Sequence, residues 1–117
     1  MISGYQSALS GLQAFGKKIQ ANGNNIANIN TDGFKKDRVT MANVDPQGVK
    51  TYVDKVTIPG PSVLKETSDG EQFVELSNVD LSSEIPDMNM NSLAYKANLK
   101  TIQVVQEMTG SLLSLKS

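Results

Sequence analysis

The 117-residue sequence has neither cysteine nor histidine. Disulfides, thiol nucleophiles, zinc sites of the usual Cys/His kind and imidazole acid–base chemistry are therefore excluded. Tryptophan is also absent, and Phe and Tyr make up only 5% of the chain. Hydrophobic residues reach 38%, below the ~45–50% apolar usage of ordinary domains, a figure that also counts glycine. These are thin materials for a self-sufficient globule, so part of the apolar surface is expected to be reserved for a partner. No stretch is long enough to span a bilayer. Residues 1–16 lack the basic start and unbroken apolar run of a cleaved signal. The net charge is −1, and no segment carries the basic stripe that phosphate backbones or anionic membrane surfaces attract.

Three zones are present instead. In the first, residues 1–33, Tyr5, Leu12, Ile19 and Ile26 recur every seventh residue, with Ala8, Phe15, Asn22 and Ile29 three positions later. This is an a/d pattern sustained for more than three heptads, and it predicts a long amphipathic helix with Ser3 as a candidate N-cap. Glycines inside it each cost up to ~1 kcal/mol against alanine, so the helix requires a partner surface. Asn28-Ile29-Asn30-Thr31-Asp32-Gly33-Phe34 ends it. Asn and Asp favour turns, Gly33 suits a helix stop, and Phe34 is expected to act as an apolar plug.

In the second zone, residues 34–78, candidate strands are Arg38–Val44, Thr51–Ile58 and Gln72–Leu76, separated by turn clusters at residues 45–48, 59–61 and 68–70. This predicts short antiparallel β-structure with long loops. The third zone, residues 79–117, carries Ile85, Met88, Tyr95, Leu99 and Ile102 at three-and-four spacing, with Ser92 filling one position. The stripe then shifts to Val105, Met108, Leu112 and Leu115. Asp80, Ser82 and Ser83 are the candidate caps. Pro86 predicts a helix that begins near residues 85–87 or bends there. The expected fold class is α+β: long terminal amphipathic helices packed as an antiparallel, coiled-coil-like pair, with a short antiparallel β region between them.

Candidate chemistry is sparse. Residues 11–18, Gly-Leu-Gln-Ala-Phe-Gly-Lys-Lys, nearly match the phosphate-binding loop, but Lys18 stands where Ser or Thr should reach Mg²⁺ and no strand precedes it. Asn22, Asn24, Asn25, Asn28 and Asn30 admit three readings: a ligand-binding polar face, helix-end capping, or hydrogen bonding between subunits that fixes register. Asp69, Glu71, Glu75, Asp80, Glu84 and Asp87 could supply paired carboxylates, but lack the ordered ladder of a Ca²⁺ loop. They read best as a solvated surface. The chain is therefore expected to be non-catalytic, with no metal or cofactor.

The ends then become recognisable. Residues 7–14, Ser-Ala-Leu-Ser-Gly-Leu-Gln-Ala, with residues 24–35, Asn-Asn-Ile-Ala-Asn-Ile-Asn-Thr-Asp-Gly-Phe-Lys, closely resemble the N-terminal signature of flagellar basal-body rod and hook proteins. Residues 77–84, Ser-Asn-Val-Asp-Leu-Ser-Ser-Glu, and 94–100, Ala-Tyr-Lys-Ala-Asn-Leu-Lys, are similar to that family's C-terminal region. The resemblance implies a structural subunit of the flagellar rod, exported by the flagellar type III apparatus without a cleaved signal and placed in the periplasmic part of the basal body. It implies partners among copies of itself, other rod and axial proteins and the export apparatus, with no nucleic acid, small-molecule substrate or membrane insertion. The short middle zone resembles the small proximal rod proteins, and the Asn24, Asn25, Asn28, Asn30, Thr31, Gly33, Phe34 turn is the shared family motif. On this reading Tyr5, Leu12, Phe15, Ile19 and Ile26 meet Tyr95, Leu99, Ile102, Met108 and Leu112, within or between subunits. The alternative of another class is a soluble coiled-coil-type binding module that lays the same stripes on another protein's helix.

Overall fold

The computed structural model describes residues 2–116. Helix α1 spans Ile2–Ala27 and helix α2 spans Leu81–Lys116. Between them lie strands β1 (Asp37–Asn43), β2 (Val49–Lys55), β3 (Ser62–Thr67) and β4 (Gly70–Glu75). The α+β arrangement of two long packed helices flanking antiparallel β-structure is as expected. The whole is a narrow body of 80 × 24 × 20 Å.

The charges at the ends of α1 do not favour the helix on its own. Its first turn has no acidic residue and its last turn no basic one, so the helix dipole is uncompensated. Tertiary contact must hold it. Ser3 lies inside the helix rather than capping it. The helix closes through tightened turns, with the Ile29 amide donating to Ile26 carbonyl oxygen at 3.2 Å. Gly33 then adopts φ 72°, a conformation only glycine takes freely. That reversal lets its N–H donate to the Glu75 carbonyl at 2.8 Å, tying the end of α1 to β4.

Helix α2 starts at a well-made cap. Asp80 Oδ1 accepts from the Ser82 backbone N–H at 3.1 Å and from Ser82 Oγ at 2.7 Å. These bonds, with a further one from Ser83, hold the Asp80 carboxyl below its usual pKa. The helix starts at Leu81 and continues past Pro86, ahead of the expected start near residues 85–87. Pro86 removes one backbone donor, but Ser82, whose carbonyl loses it, and Pro86 itself are both exposed. The freed carbonyl is on the water side, so the strong cap at Asp80, six residues earlier, prevails.

The strands form two separate hairpins, β1–β2 and β3–β4. Val39 pairs with Val53 in the first, and Leu64 with Phe73 in the second. The first lies against α1: Ser10 Oγ accepts the Val49 N–H at 3.1 Å, and Gln47 donates to Gln6. β3 falls where a loop was expected, because its Ser-Val-Leu-Lys-Glu-Thr run has no buried alternation to reveal it. The other strands begin one or two residues ahead of their expected starts.

At Gly60 the linker between the two hairpins crosses close to the chain that leaves β4. A Cβ there would lie 2.3 Å from the Leu76 carbonyl oxygen and 2.7 Å from that of Ser77, both rigid backbone atoms. Gly60→Ala is expected to destabilise the chain by about 1–3 kcal/mol, in the range of overpacked sites, read from the midpoint of urea unfolding. An unchanged midpoint would show that the β3–β4 linkage swings freely.

Candidate assembly surface

The helices pack antiparallel: a Cβ on Gly11 would touch Asn98, and Asn22, further along α1, meets Asn91, further back on α2. The line of closest approach is not the apolar one. On α1 the buried residues are Ala8, Gly11, Ala14, Asn22 and Asn25; on α2 they are Glu84 and Asn91. The heptad pattern puts Leu12 and Ile26 where Gly11 and Asn25 stand, and Ile85 and Ser92 where Glu84 and Asn91 stand. The contact is thus shifted by one residue at these positions, while Ala8 and Asn22 lie in it as the heptad pattern has them. Small residues and paired amides let the backbones approach where Leu12 and Ile26 would hold them apart.

Polar groups fill this seam, and each has a partner. Asn22 Nδ2 donates to Glu84 Oε2 at 2.8 Å and to Asp87 Oδ2 at 3.0 Å. Asn91 Nδ2 donates to Asn22 Oδ1 at 2.8 Å and to Asp87 at 3.1 Å. Asn25, 1% exposed, bonds Asp37 both ways: its Nδ2 donates to the carbonyl at 3.0 Å and its Oδ1 accepts the N–H at 2.9 Å. It also donates to Glu84 Oε1 at 3.2 Å. Among the described residues, no buried side-chain polar atom lacks a partner. A second asparagine, Asn78, stitches three segments, accepting from the Lys36 N–H at 2.7 Å and donating to the Val56 and Ile58 carbonyls. The sequence marks Asn78 only as part of the 77–84 stretch that resembles the family's C-terminal region, with no periodicity to show what it bonds.

The other motif residues serve the same corner. Asn24 donates to Asp37 Oδ2, Asn28 to the Asn24 carbonyl, and Thr31 to Asn28. Asn30 is exposed. Phe34 is half-buried with the Lys55 ammonium 5.4 Å from its ring centre. Glu75 pairs with Lys35, and Asp80 caps α2. Asp69 and Glu71 sit out on the second hairpin. Glu84 and Asp87 share a polar cleft with Lys18, Lys36, Asp37 and Arg38, where asparagine amides already engage both carboxylates. The acids are thus dispersed among separate structural tasks. Among the described residues, no group of His, Cys, Asp or Glu is arranged to hold a metal ion.

The apolar residues proposed from the heptads flank the polar seam. Leu12, Phe15, Ile19 and Ile26 are half-buried and Tyr5 is exposed. Leu12 and Tyr95 come together in one shallow groove, with Tyr95 against Gly16. Ile102 is half-buried, whereas Leu99 and Leu112 remain 50% and 51% exposed, with Met108 similar. Met108 and Leu112 have no counterpart on α1, because the antiparallel register brings α1 to its start before α2 reaches them. A second apolar row, Met90, Leu93, Ala97 and Val104, is exposed on another side of α2. Apolar side chains therefore surround α2, and α1 covers only one of its sides. The outward apolar residues, interspersed with polar ones such as Lys96 and Lys100, are left for a partner surface rather than for the core of the chain.

This helix with uncovered apolar residues follows a polar N-terminal corner, and both ends have known counterparts. Residues 6–35 match the family described as flagella basal body rod protein, and residues 71–115 match the C-terminal region of flagellar basal body rod FlgEFG proteins. The chain belongs to the flagellar basal-body rod family. The flagellar basal-body rod protein FlgG of Bacillus subtilis is 45% identical over 92 residues, which are 79% of this chain and 31% of that protein. The chain thus spans less than a third of the length of this rod-family relative. Neither family match includes residues 36–70, which hold β1, β2 and β3. The rod-family signature therefore coincides with the two helices, the asparagine corner and β4.

Proposed function

We propose that the chain is a non-catalytic structural subunit of the bacterial flagellar basal-body rod, assembling through its terminal helices into a helical tube. The observation that carries this reading is α2, whose apolar residues face outward along nearly its full length. A subunit that bonds to neighbours by different patches on each side makes heterologous contacts, which propagate into helical arrays. The helices would form the inner layer of the tube and the hairpins would lie outside it. Tyr5, Leu12, Phe15, Ile19 and Ile26 of one subunit, with Tyr95, Leu99, Ile102, Met108 and Leu112, supply the apolar contact. Residues 1–33 and 79–117 are the assembly segments and residues 34–78 the outer part. The short outer part favours a small, proximal-type rod subunit. Partners are copies of the chain and other rod and axial proteins. Delivery by the flagellar export apparatus would bring it to the periplasmic rod.

Purified basal bodies test the proposal. The protein is expected in the rod fraction by mass spectrometry, and labelling of a residue in 34–78 is expected on the outside of the rod. Its recovery solely as a one-to-one soluble complex, absent from basal bodies, would instead identify a binding module.

A further inference from the structure

The β3–β4 hairpin carries a surface that none of the described residues covers. Leu64 and Phe73 face each other across the strands, and Glu66 and Glu71 form the next such pair on the same face. Phe73 is 78% exposed and Leu64 54% exposed. Two like charges directly across a ladder repel. The ion pairs of the described residues are Lys35–Glu75, Arg38–Asp54, Lys55–Asp37 and Lys65–Asp32, so no cation relieves Glu66 or Glu71. A two-stranded hairpin standing alone is marginal. This face is apolar at its middle, acidic toward its tip and unsupported.

The outer side of α2 is its complement. Leu93, Lys96, Ala97, Lys100 and Val104 recur at helical spacing on one exposed face. Leu93 is 70% exposed. Lys96 and Lys100 are one turn apart, where like charges also repel, and neither enters an ion pair among the described residues. Opposed strand residues lie ~5 Å apart and residues four apart on a helix rise ~6 Å. Two glutamates can therefore meet two lysines at once while Leu64 and Phe73 cover Leu93 and Ala97.

We propose that the β3–β4 hairpin of one copy docks on the outer face of α2 of a second copy, Glu66 and Glu71 against Lys96 and Lys100. The contact joins two different patches, so it extends an array rather than closing a dimer. It rests on the rod-subunit reading only in requiring that copies meet. It also gives the hairpins, and not the helices alone, a part in setting how neighbours sit.

The test uses the full chain with Phe73 replaced by photoreactive benzoylphenylalanine, mixed with isotopically labelled copies at rising concentration. Cross-links between labelled and unlabelled chains are expected at residues 90–104. E66K/E71K and K96E/K100E, each present on all chains, should lower the yield by at least about fivefold, the scale of two exposed ion pairs. Mixing photoreactive E66K/E71K chains with K96E/K100E acceptors should restore it. Cross-links elsewhere, or none, overturn the proposal, as does a yield indifferent to charge reversal. The rod reading fails separately, if the protein is missing from basal bodies.

Discussion

Asn25→Leu is expected to cost about 3–5 kcal/mol of folding stability, measured by urea or thermal unfolding of the full chain. The side chains are close in size, so a purely packing role would predict a small loss. Asn25 instead satisfies three groups: the Asp37 N–H, the Asp37 carbonyl and Glu84 Oε1. Each buried polar group left unpaired costs ~1–3 kcal/mol. Water reaches part of the adjoining cleft, which keeps the total below the full sum. Small domains hold ~5–15 kcal/mol in all, so this one change takes a large share. Asn25→Asp should be nearly as harmful, because it removes the donors and sets a second carboxylate beside Glu84. A loss under about 1 kcal/mol for Asn25→Leu would show that the asparagine corner is not what joins helix to hairpin.

Leu99→Asp and Leu112→Asp should separate folding from assembly. Both residues are half exposed in the single chain, and such surface changes usually stay within about 0.5 kcal/mol. The helical circular dichroism and unfolding midpoint are therefore expected to match the wild type. In a tube built on these helices, each apolar contact recurs at every subunit. Fully burying a leucine contributes ~1.5–3 kcal/mol, and burying a carboxylate in its place costs more. Incorporation into basal bodies, and with it motility, is expected to be lost in both variants. Leu12→Asp should also lose incorporation, but with a lower midpoint because Leu12 is half-buried. Normal motility in all three would refute assembly through the terminal helices.

The sequence disclosed the large features for a physical reason. A pattern sustained over more than three heptads in residues 5–29, and the three-and-four spacing after Ile85, are long-range regularities that only helices produce. Asp80 was recognisable as a cap because its carboxylate serves the very next turn. Elsewhere the pattern misled by one position. Heptad reading selects the greasiest row, so it chose Leu12 and Ile26, whereas the backbones approach closest at Gly11 and Asn25. A row of glycine, alanine and asparagine has no hydrophobic signal, and its meaning depends on Glu84 and Asn91, more than fifty residues away. The register reading of Asn22 did anticipate a buried polar contact, though the contact lies within one chain. β3 was illegible because an exposed hairpin leaves no alternation. Pro86 looked like a breaker because sequence alone does not tell that its turn faces water.

The unequal length of the two helices has one further consequence. Helix α2 has 36 residues and α1 has 26, and the surplus projects past the start of α1 at one end. Each molecule consequently has a head and a tail that cannot be exchanged by turning it over. Any column of such molecules inherits an arrow, and an incoming copy can add to it in a single orientation.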